Sequence, residues 1–300
     1  MIIDKSNGAV CFNEQEHVYW NLNDNKRYSS VTTMIHSFTQ EFDGQFWSAY
    51  KALEKLLGLE AFKAEKKRLL ETHKIDLQYY IDTYGISELD FNKSQQDILD
   101  KWQADNIAAC ERGTAIHSEL EEQYYKSPTC SVEKYGIGGK FECRKNYYDL
   151  DLEKGVYPEY LIYYQSEDGQ FRLAGQIDLL IKDGNDIYIV DYKTNKELKE
   201  KSGFDTRTKK MSMMKYPMSN LMDCNMNHYT LQLSTYAWML QQINPDFNIK
   251  KLVLVHYDYQ GNVTEKEVDY LKEDVIRMIR YFKKQQILEE RKASRKPIEF

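Results

Sequence analysis

Gly175-Gln176-Ile177-Asp178-Leu179-Leu180, followed shortly by Ile189-Val190-Asp191-Tyr192-Lys193-Thr194, is the stretch on which fold and chemistry turn. Residues 171–181 and 187–192 read as strands, and Lys182-Asp183-Gly184-Asn185 reads as the turn between them. Side chains alternate across a strand, so Asp191 and Lys193 point to the same face. Asp178, on the preceding strand of the hairpin, reaches the same end of that face. Two carboxylates and a lysine converging at a sheet edge form a site for a hard divalent cation with oxygen ligands. Phosphodiester hydrolysis needs those parts: the cation polarises the phosphate and acidifies a water, and the ammonium steadies phosphoryl charge. Taken singly, Asp178 reads first as a strand end, and Asp191 with Lys193 as an exposed pair. The flanks add weight. Ile187-Tyr188-Ile189-Val190 is almost continuously apolar, which predicts a central, buried strand, and charge at the end of such a strand needs partners or a task.

Working outward, residues 156–164 predict a strand before this hairpin, residues 229–242 a helix stopped by Asn244-Pro245, residues 252–257 a strand and residues 269–290 a long amphipathic helix. Towards the N-terminus, residues 9–20 and 27–35 alternate as a β-hairpin around Asn21-Leu22-Asn23-Asp24-Asn25, and Ser29 or Ser30 caps a short helix near Val31. Residues 44–125 are helical in pattern, with Gly58 and Gly85 as separators. Residues 196–226 lack periodicity and predict a long loop, a length usually tied to function or mobility. The expected fold is α/β: a central mixed β-sheet flanked by helices, with a helical N-terminal elaboration. The expected division is an N-terminal hairpin-plus-helix region over residues 1–105 and a core over residues 106–300.

Composition bounds the function class. Hydrophobic residues are 42% and charged residues 29% of the 300, ordinary for a globular chain with a sizeable core. No apolar run reaches the length of a membrane span, and the first residues lack the build of a signal peptide. Five cysteines (Cys11, Cys110, Cys130, Cys143, Cys224) are scattered and never spaced as Cys-x-x-Cys, which fits reduced thiols in a cytoplasmic compartment. The net charge of −6 argues against a nucleic-acid partner, yet phosphates respond to charges within a Debye length of about 8 Å. Residues 193–215 carry eight Lys/Arg against three Asp/Glu, and residues 277–296 eight against two. Each segment reads equally as a solvated basic face or a phosphate-tracking one. The 24 tyrosines suit either wet-edged cores or base stacking.

Two further motifs complete a pattern. Arg112-Gly113-Thr114-Ala115-Ile116-His117 precedes the strands, and Leu231-Gln232-Leu233-Ser234-Thr235-Tyr236-Ala237 follows them. Together with Asp178 and Asp191-Tyr192-Lys193, these resemble the RecB-like exonuclease branch of the PD-(D/E)XK nuclease superfamily over roughly residues 110–260. Phage exonucleases and the mitochondrial genome-maintenance exonuclease share the Gly-Thr-x-x-His and Asp-Tyr/Trp-Lys-Thr forms. The proline of the namesake motif is absent, since Ile177 precedes Asp178.

The resemblance implies a restriction-endonuclease-like core and a metal-dependent DNA exonuclease acting on single strands or strand ends in replication, recombination or repair. Alternatives are a structure-specific endonuclease on the same site, or a catalytically silent DNA-binding module of a replication complex. By the same resemblance, Asp178, Asp191, His117 and the main-chain carbonyl of Tyr192 would hold Mg²⁺ or Mn²⁺, and Lys193 would be the catalytic lysine. Gln232 and Tyr236, at i and i+4 on one helical face, would steady it. Arg112, Thr114, Lys209, Lys210 and Lys215 are the expected DNA-backbone contacts. Glu159, on the preceding strand, is a candidate supporting acid, and Glu121 shares a helical face with His117. His228 and His256 read as structural or surface residues. No cysteine follows Cys224, so no iron–sulfur cluster is expected, and no phosphate-binding loop for ATP is present. The expected setting is cytoplasmic, the host's if phage-encoded, with DNA and replication or recombination proteins as partners and no membrane.

Overall fold

Apolar alternation near the N-terminus forms four short strands, each antiparallel to the next: β1 (Lys5–Asn7), β2 (Val10–Asn13), β3 (Val18–Asn21) and β4 (Arg27–Ser30). The computed structural model describes residues 5–144, 152–205 and 208–293. These fall into two compact units, one of Met1–Thr39, Gly113–Lys201 and Met213–Phe300, the other of Gln40–Arg112 and Ser202–Ser212. Strands β1 to β4 extend the sheet of the first unit.

The Ser30 hydroxyl accepts the Thr33 N–H at 3.0 Å and caps α1 (Val31–His36), as expected of a serine before a helix. The second unit contains α2 (Gly44–Thr72), capped by Asp43 and broken at Gly58 with φ of 72°, and α3 (Leu77–Tyr84), which ends on left-handed Gly85. Its core includes fully buried Leu53, Leu69 and Tyr80. Buried Glu65 accepts from Arg68, Tyr79, Tyr80 and Tyr84. Burial works to raise this carboxyl, but the Tyr84, Arg68 and Tyr79 donors outweigh it and hold it below the usual range. The long helix α4 (Glu88–Tyr125) starts in this unit, and its turns from Gly113 onward belong to the first.

The first unit continues with β5 (Thr129–Val132) and β6 (Ile137–Glu142), which pair with each other, and then with β7 (Gly155–Gln165), β8 (Arg172–Asp183) and β9 (Asp186–Lys193). After the short hairpin β10 (Phe204–Asp205) and β11 (Lys210–Met211) of the second unit come α5 (Asn225–Ile243), β12 (Asn248–Tyr257), β13 (Val263–Val268) and α6 (Lys272–Ala293). The central sheet is mixed: β7 and β9 run antiparallel to β8, and β12 runs parallel to β9. The expected α/β architecture of a mixed sheet flanked by helices is therefore present.

The register of β8 explains where a site can form. β7 pairs along one edge of β8 for almost its whole length. On the other edge, β4 pairs with Leu173 and Ala174, and β9 pairs only from Leu179 onward. Residues 175–178 are left between two diverging neighbours, so the sheet opens beside Gly175, Gln176 and Asp178. Alternation along β9 places Ile187 and Ile189 in the core that also holds Leu231, Leu233 and Ala237 of α5, and Val190 and Tyr192 in the core with Leu120 and Tyr124 of α4. Each such fully buried aliphatic contributes about 1.5–3 kcal/mol. The end of β9 is thus held between two helices, each bearing one of the flanking motifs.

Two sequence expectations need correcting. Residues 196–226 are not structureless: besides the β10–β11 hairpin, Met214 and Met218 are buried and the Met226 N–H donates to the Lys199 carbonyl. Arg207, read with this basic segment, lies outside the described residues, as do Arg295 and Lys296 of the C-terminal one. Strand β13 was missed because Val263-Thr264-Glu265-Lys266-Glu267-Val268 is charged and largely exposed, the composition of an edge strand.

Candidate active site

The opened edge of β8 forms one wall of a cavity of about 410 Å³, within the range of small-ligand sites. Asp178 of β8, Glu159 of β7 and His117 of α4 meet there. His117 Nδ1 lies 3.6 Å from Glu159 Oε1 and 3.6 Å from Asp178 Oδ1. One ligand-type atom from each of the three lies within 4.8 Å of the others, a spacing that suits one shared ion.

Local structure fixes each of these groups. Gly113 brings α4 close to the end of β9: a Cβ there would lie 3.2 Å from the Thr194 hydroxyl. One turn later His117 Nε2 donates to the Tyr192 carbonyl at 3.1 Å, which leaves Nδ1 turned to the carboxylates. Asp178 Oδ2 accepts the Tyr192 N–H at 2.6 Å. Glu159 follows Pro158 with φ of 52°, a strained conformation for a non-glycine residue, and its carboxylate accepts from Gln176 Nε2. The ladder between β7 and β8 skips the Glu159–Asp178 pair, so both side chains are free to turn inward.

Asp191 and Lys193 stand on the α5 side. Lys193 Nζ is 2.6 Å from Asp191 Oδ2, accepted by Gln232 Oε1 at 3.2 Å and 4.6 Å above the Tyr229 ring. Gln232 Nε2 in turn donates to the Tyr236 hydroxyl at 3.1 Å. The structure therefore brings Asp178, Asp191, Lys193, His117, Tyr192, Gln232 and Tyr236 into one neighbourhood, and Thr114 and Glu121 line the same cavity. Asp191 stays outside the tight ligand triad, and Glu159 takes its place there. Arg112 is half-buried in the last helical turn of the second unit. Lys209 and Lys210 are exposed on or beside β11, and Lys215 is half-buried with its N–H on the Phe38 carbonyl. None of these four lines the cavity. His228 pairs with Asp223 at 2.7 Å and buried His256 with the Asn195 carbonyl at 2.7 Å, both structural contacts.

The charges show strain that a cation would relieve. Asp191 is 1% exposed, and apart from the Lys193 ammonium 2.6 Å from Oδ2 neither carboxylate oxygen has a donor among the described residues. Burial, against the pull of Lys193, pushes its pKa up to about 6. Burial, countered by His117 and aided by Glu159, also holds Asp178 above the usual range. Burial works to lower His117, but Asp178 and Glu159 outweigh it and hold its pKa up at about 9. For Lys193 likewise, Asp191 and Asp178 outweigh burial, so the ammonium stays charged. Two carboxylates, Glu159 and Asp178, meeting the His117 imidazole, with buried Asp191 close by, form a donor set that fits a hard divalent cation.

Sequence reasoning missed the cavity's remaining wall, Phe12, Glu14, His17 and Tyr19 from β2, β3 and their turn, because no motif marks them. It also missed Tyr229, whose only signal is its place one helical turn before Gln232. The glycine of Gly175-Gln176 has a clear reason: a Cβ there would lie 2.6 Å from Tyr236 Cε1. Gly175→Ala is expected to displace Tyr236 and, through Gln232, the Lys193 ammonium. Stability should fall by about 1–3 kcal/mol from overpacking, and turnover by about tenfold or more. Denaturant titration and single-turnover kinetics check both, and an unchanged rate would separate Tyr236 from Lys193.

No curated protein matches the chain. Among solved structures, the crystal structure of SSO0001 is 14% identical, with 77% of this chain and 87% of that one covered and a TM-score of 0.33. A crystal structure named "Putative exonuclease", from Eubacterium rectale, is 10% identical, with 87% and 80% covered and a TM-score of 0.33. Likenesses at that level identify no activity. The sequence profile of the PD-(D/E)XK nuclease superfamily, in contrast, matches residues 142–296, more than half of the chain, including β7, β8, β9 and α5. On that match the chain belongs to the PD-(D/E)XK nuclease superfamily.

Proposed function

We propose that this nuclease is a Mg²⁺- or Mn²⁺-dependent DNA exonuclease of the RecB-like type, acting on single strands or strand ends in replication, recombination or repair. The observation that carries the reading is the meeting of His117, Glu159 and Asp178 with Lys193 in one small cavity. His117, Asp178, Asp191, Glu159 and the Tyr192 carbonyl would hold the cation. When bound, the cation supplies Lewis-acid polarisation of the scissile phosphate and acidifies the attacking water. Lys193, kept protonated by Asp191 and Asp178, donates to a phosphoryl oxygen and offsets charge that grows during attack. Gln232 fixes the ammonium's direction, and Tyr236 fixes Gln232. Thr114, on the cavity lining, would contact the phosphate backbone beside the scissile bond.

The endonuclease reading would use the same residues, so the nature of the DNA end decides between the two. The test compares linear and circular single-stranded DNA with Mg²⁺, with Mn²⁺ and with excess EDTA. Linear DNA should be degraded with either metal and without ATP, circles should survive, and EDTA should stop the reaction. Cleavage of circles would give the endonuclease reading instead, and full activity in EDTA would remove the metal from the mechanism.

A further inference from the structure

The β2–β3 hairpin lies in the cleft although its sequence carries no recognisable motif. Phe12, His17 and Tyr19 line the same cavity as Glu159, Asp178 and Lys193, and all belong to one compact unit. Phe12 and Tyr19 face each other across the antiparallel pair, with rings stacked at 4.4 Å and 22° and only 3% and 4% of their surface exposed. They form a rigid apolar floor. Burial, then the charges of Glu159 and Asp178, hold the Tyr19 phenol above its usual range, so it adds no charge beside them.

His17 stands at the edge of that floor. Its ring meets Phe12 edge-on at 5.2 Å and 83°, and the residue is exposed. Its backbone is left-handed, with φ of 52°, in a turn that Asn13 closes by accepting the Glu16 N–H at 2.6 Å. A histidine in that conformation is strained by about 1–3 kcal/mol, and such strain concentrates where a side chain must be aimed. Glu14 on the same wall repels phosphate, while the cationic Lys193 stands elsewhere on the lining. The hairpin wall therefore suits the base of a nucleotide and not its backbone.

We propose that this hairpin is the base-contacting wall of the cleft, with His17 stacking on the nucleobase beside the scissile phosphate. The substrate class that follows is an unpaired strand or frayed end, since a base inside a duplex offers no free face. The inference rests on the nuclease reading of the same cavity and adds a specificity-determining residue to it.

The experiment uses the full chain, His17→Ala and His17→Phe. Probes are a single-stranded oligonucleotide carrying terminal 2-aminopurine, and bis(p-nitrophenyl) phosphate, a phosphodiester without a base. Stacking should quench 2-aminopurine in the wild type and in His17→Phe but not in His17→Ala. His17→Ala should lower kcat/KM on the oligonucleotide about tenfold or more, with bis(p-nitrophenyl) phosphate cleaved equally by all three. Intact quenching and rate in His17→Ala would overturn the proposal. So would an equal loss on both substrates, which would make the hairpin a scaffold only. A wild type that cleaves neither probe but still quenches through His17 would keep the base wall and remove the nuclease reading.

Discussion

Lys193→Ala should slow phosphodiester cleavage by about a thousandfold, the upper end for losing one charge-stabilising donor, and Asp191→Asn should do at least as much. The two variants should differ in stability. Lys193→Ala leaves the Asp191 carboxylate buried without its cation, a loss of about 3–5 kcal/mol. Asp191→Asn also breaks this pair, but the Lys193 ammonium keeps the Asp178 charge, the Gln232 carbonyl oxygen and partial exposure, so its folding should suffer less than that of Lys193→Ala. The pH dependence follows from the raised pKa of Asp191. A carboxyl at about 6 when folded and 3.8 when unfolded makes the fold most stable below 3.8 and less stable as pH rises to 6. Without Lys193 the folded pKa climbs further, so that loss continues above 6. The Tm gap between wild type and Lys193→Ala should therefore widen from pH 5 to pH 8. In the double variant Lys193→Ala/Asp191→Asn, the Tm should return while activity stays absent. Near-wild-type cleavage by either single variant would show that the chemistry lies elsewhere.

The parts of this site that were legible in the sequence are those carried by periodicity. Alternation on β9 placed Asp191 and Lys193 on one face, and the i, i+4 spacing on α5 placed Gln232 over Tyr236, because both patterns are set by backbone geometry alone. The apolar run before Asp191 predicted a central strand, and β9 does lie between β8 and β12. What stayed hidden depends on long-range register. Nothing within residues 170–195 says that β4 and β9 share one edge of β8 and diverge beside Gly175. That divergence opens the cavity and draws β2 and β3 into it. The left-handed backbone at Glu159 and His17 is hidden for the same reason, since a strained conformation is imposed by neighbours against local preference. The segment of residues 196–226 illustrates the opposite error: lacking periodicity it reads as a long loop, yet Met214 and Met218 are core, a burial that local pattern does not announce.

The composition of the ligand triad leads to a prediction that the spacing of motifs alone would not make. Asp191, the second acid of the motif, is held by Lys193, while Glu159 shares His117 Nδ1 with Asp178. Calorimetric titration with Mn²⁺ should therefore show Glu159→Gln weakening the ion by at least about tenfold to a hundredfold, a range that even outer-shell partners reach. His117→Ala should weaken it similarly, with excess Mn²⁺ partly restoring cleavage, while Asp191→Asn should cost less affinity than either. Glutamine is the informative replacement at position 159. It keeps the side-chain length and the same unfavourable φ, so backbone strain is unchanged and only the charge is lost. It can also still accept from Gln176 through its carbonyl oxygen. A Glu159→Gln protein that binds Mn²⁺ and cleaves DNA like the wild type would reduce Glu159 to a brace for Gln176 and return the second carboxylate position to Asp191.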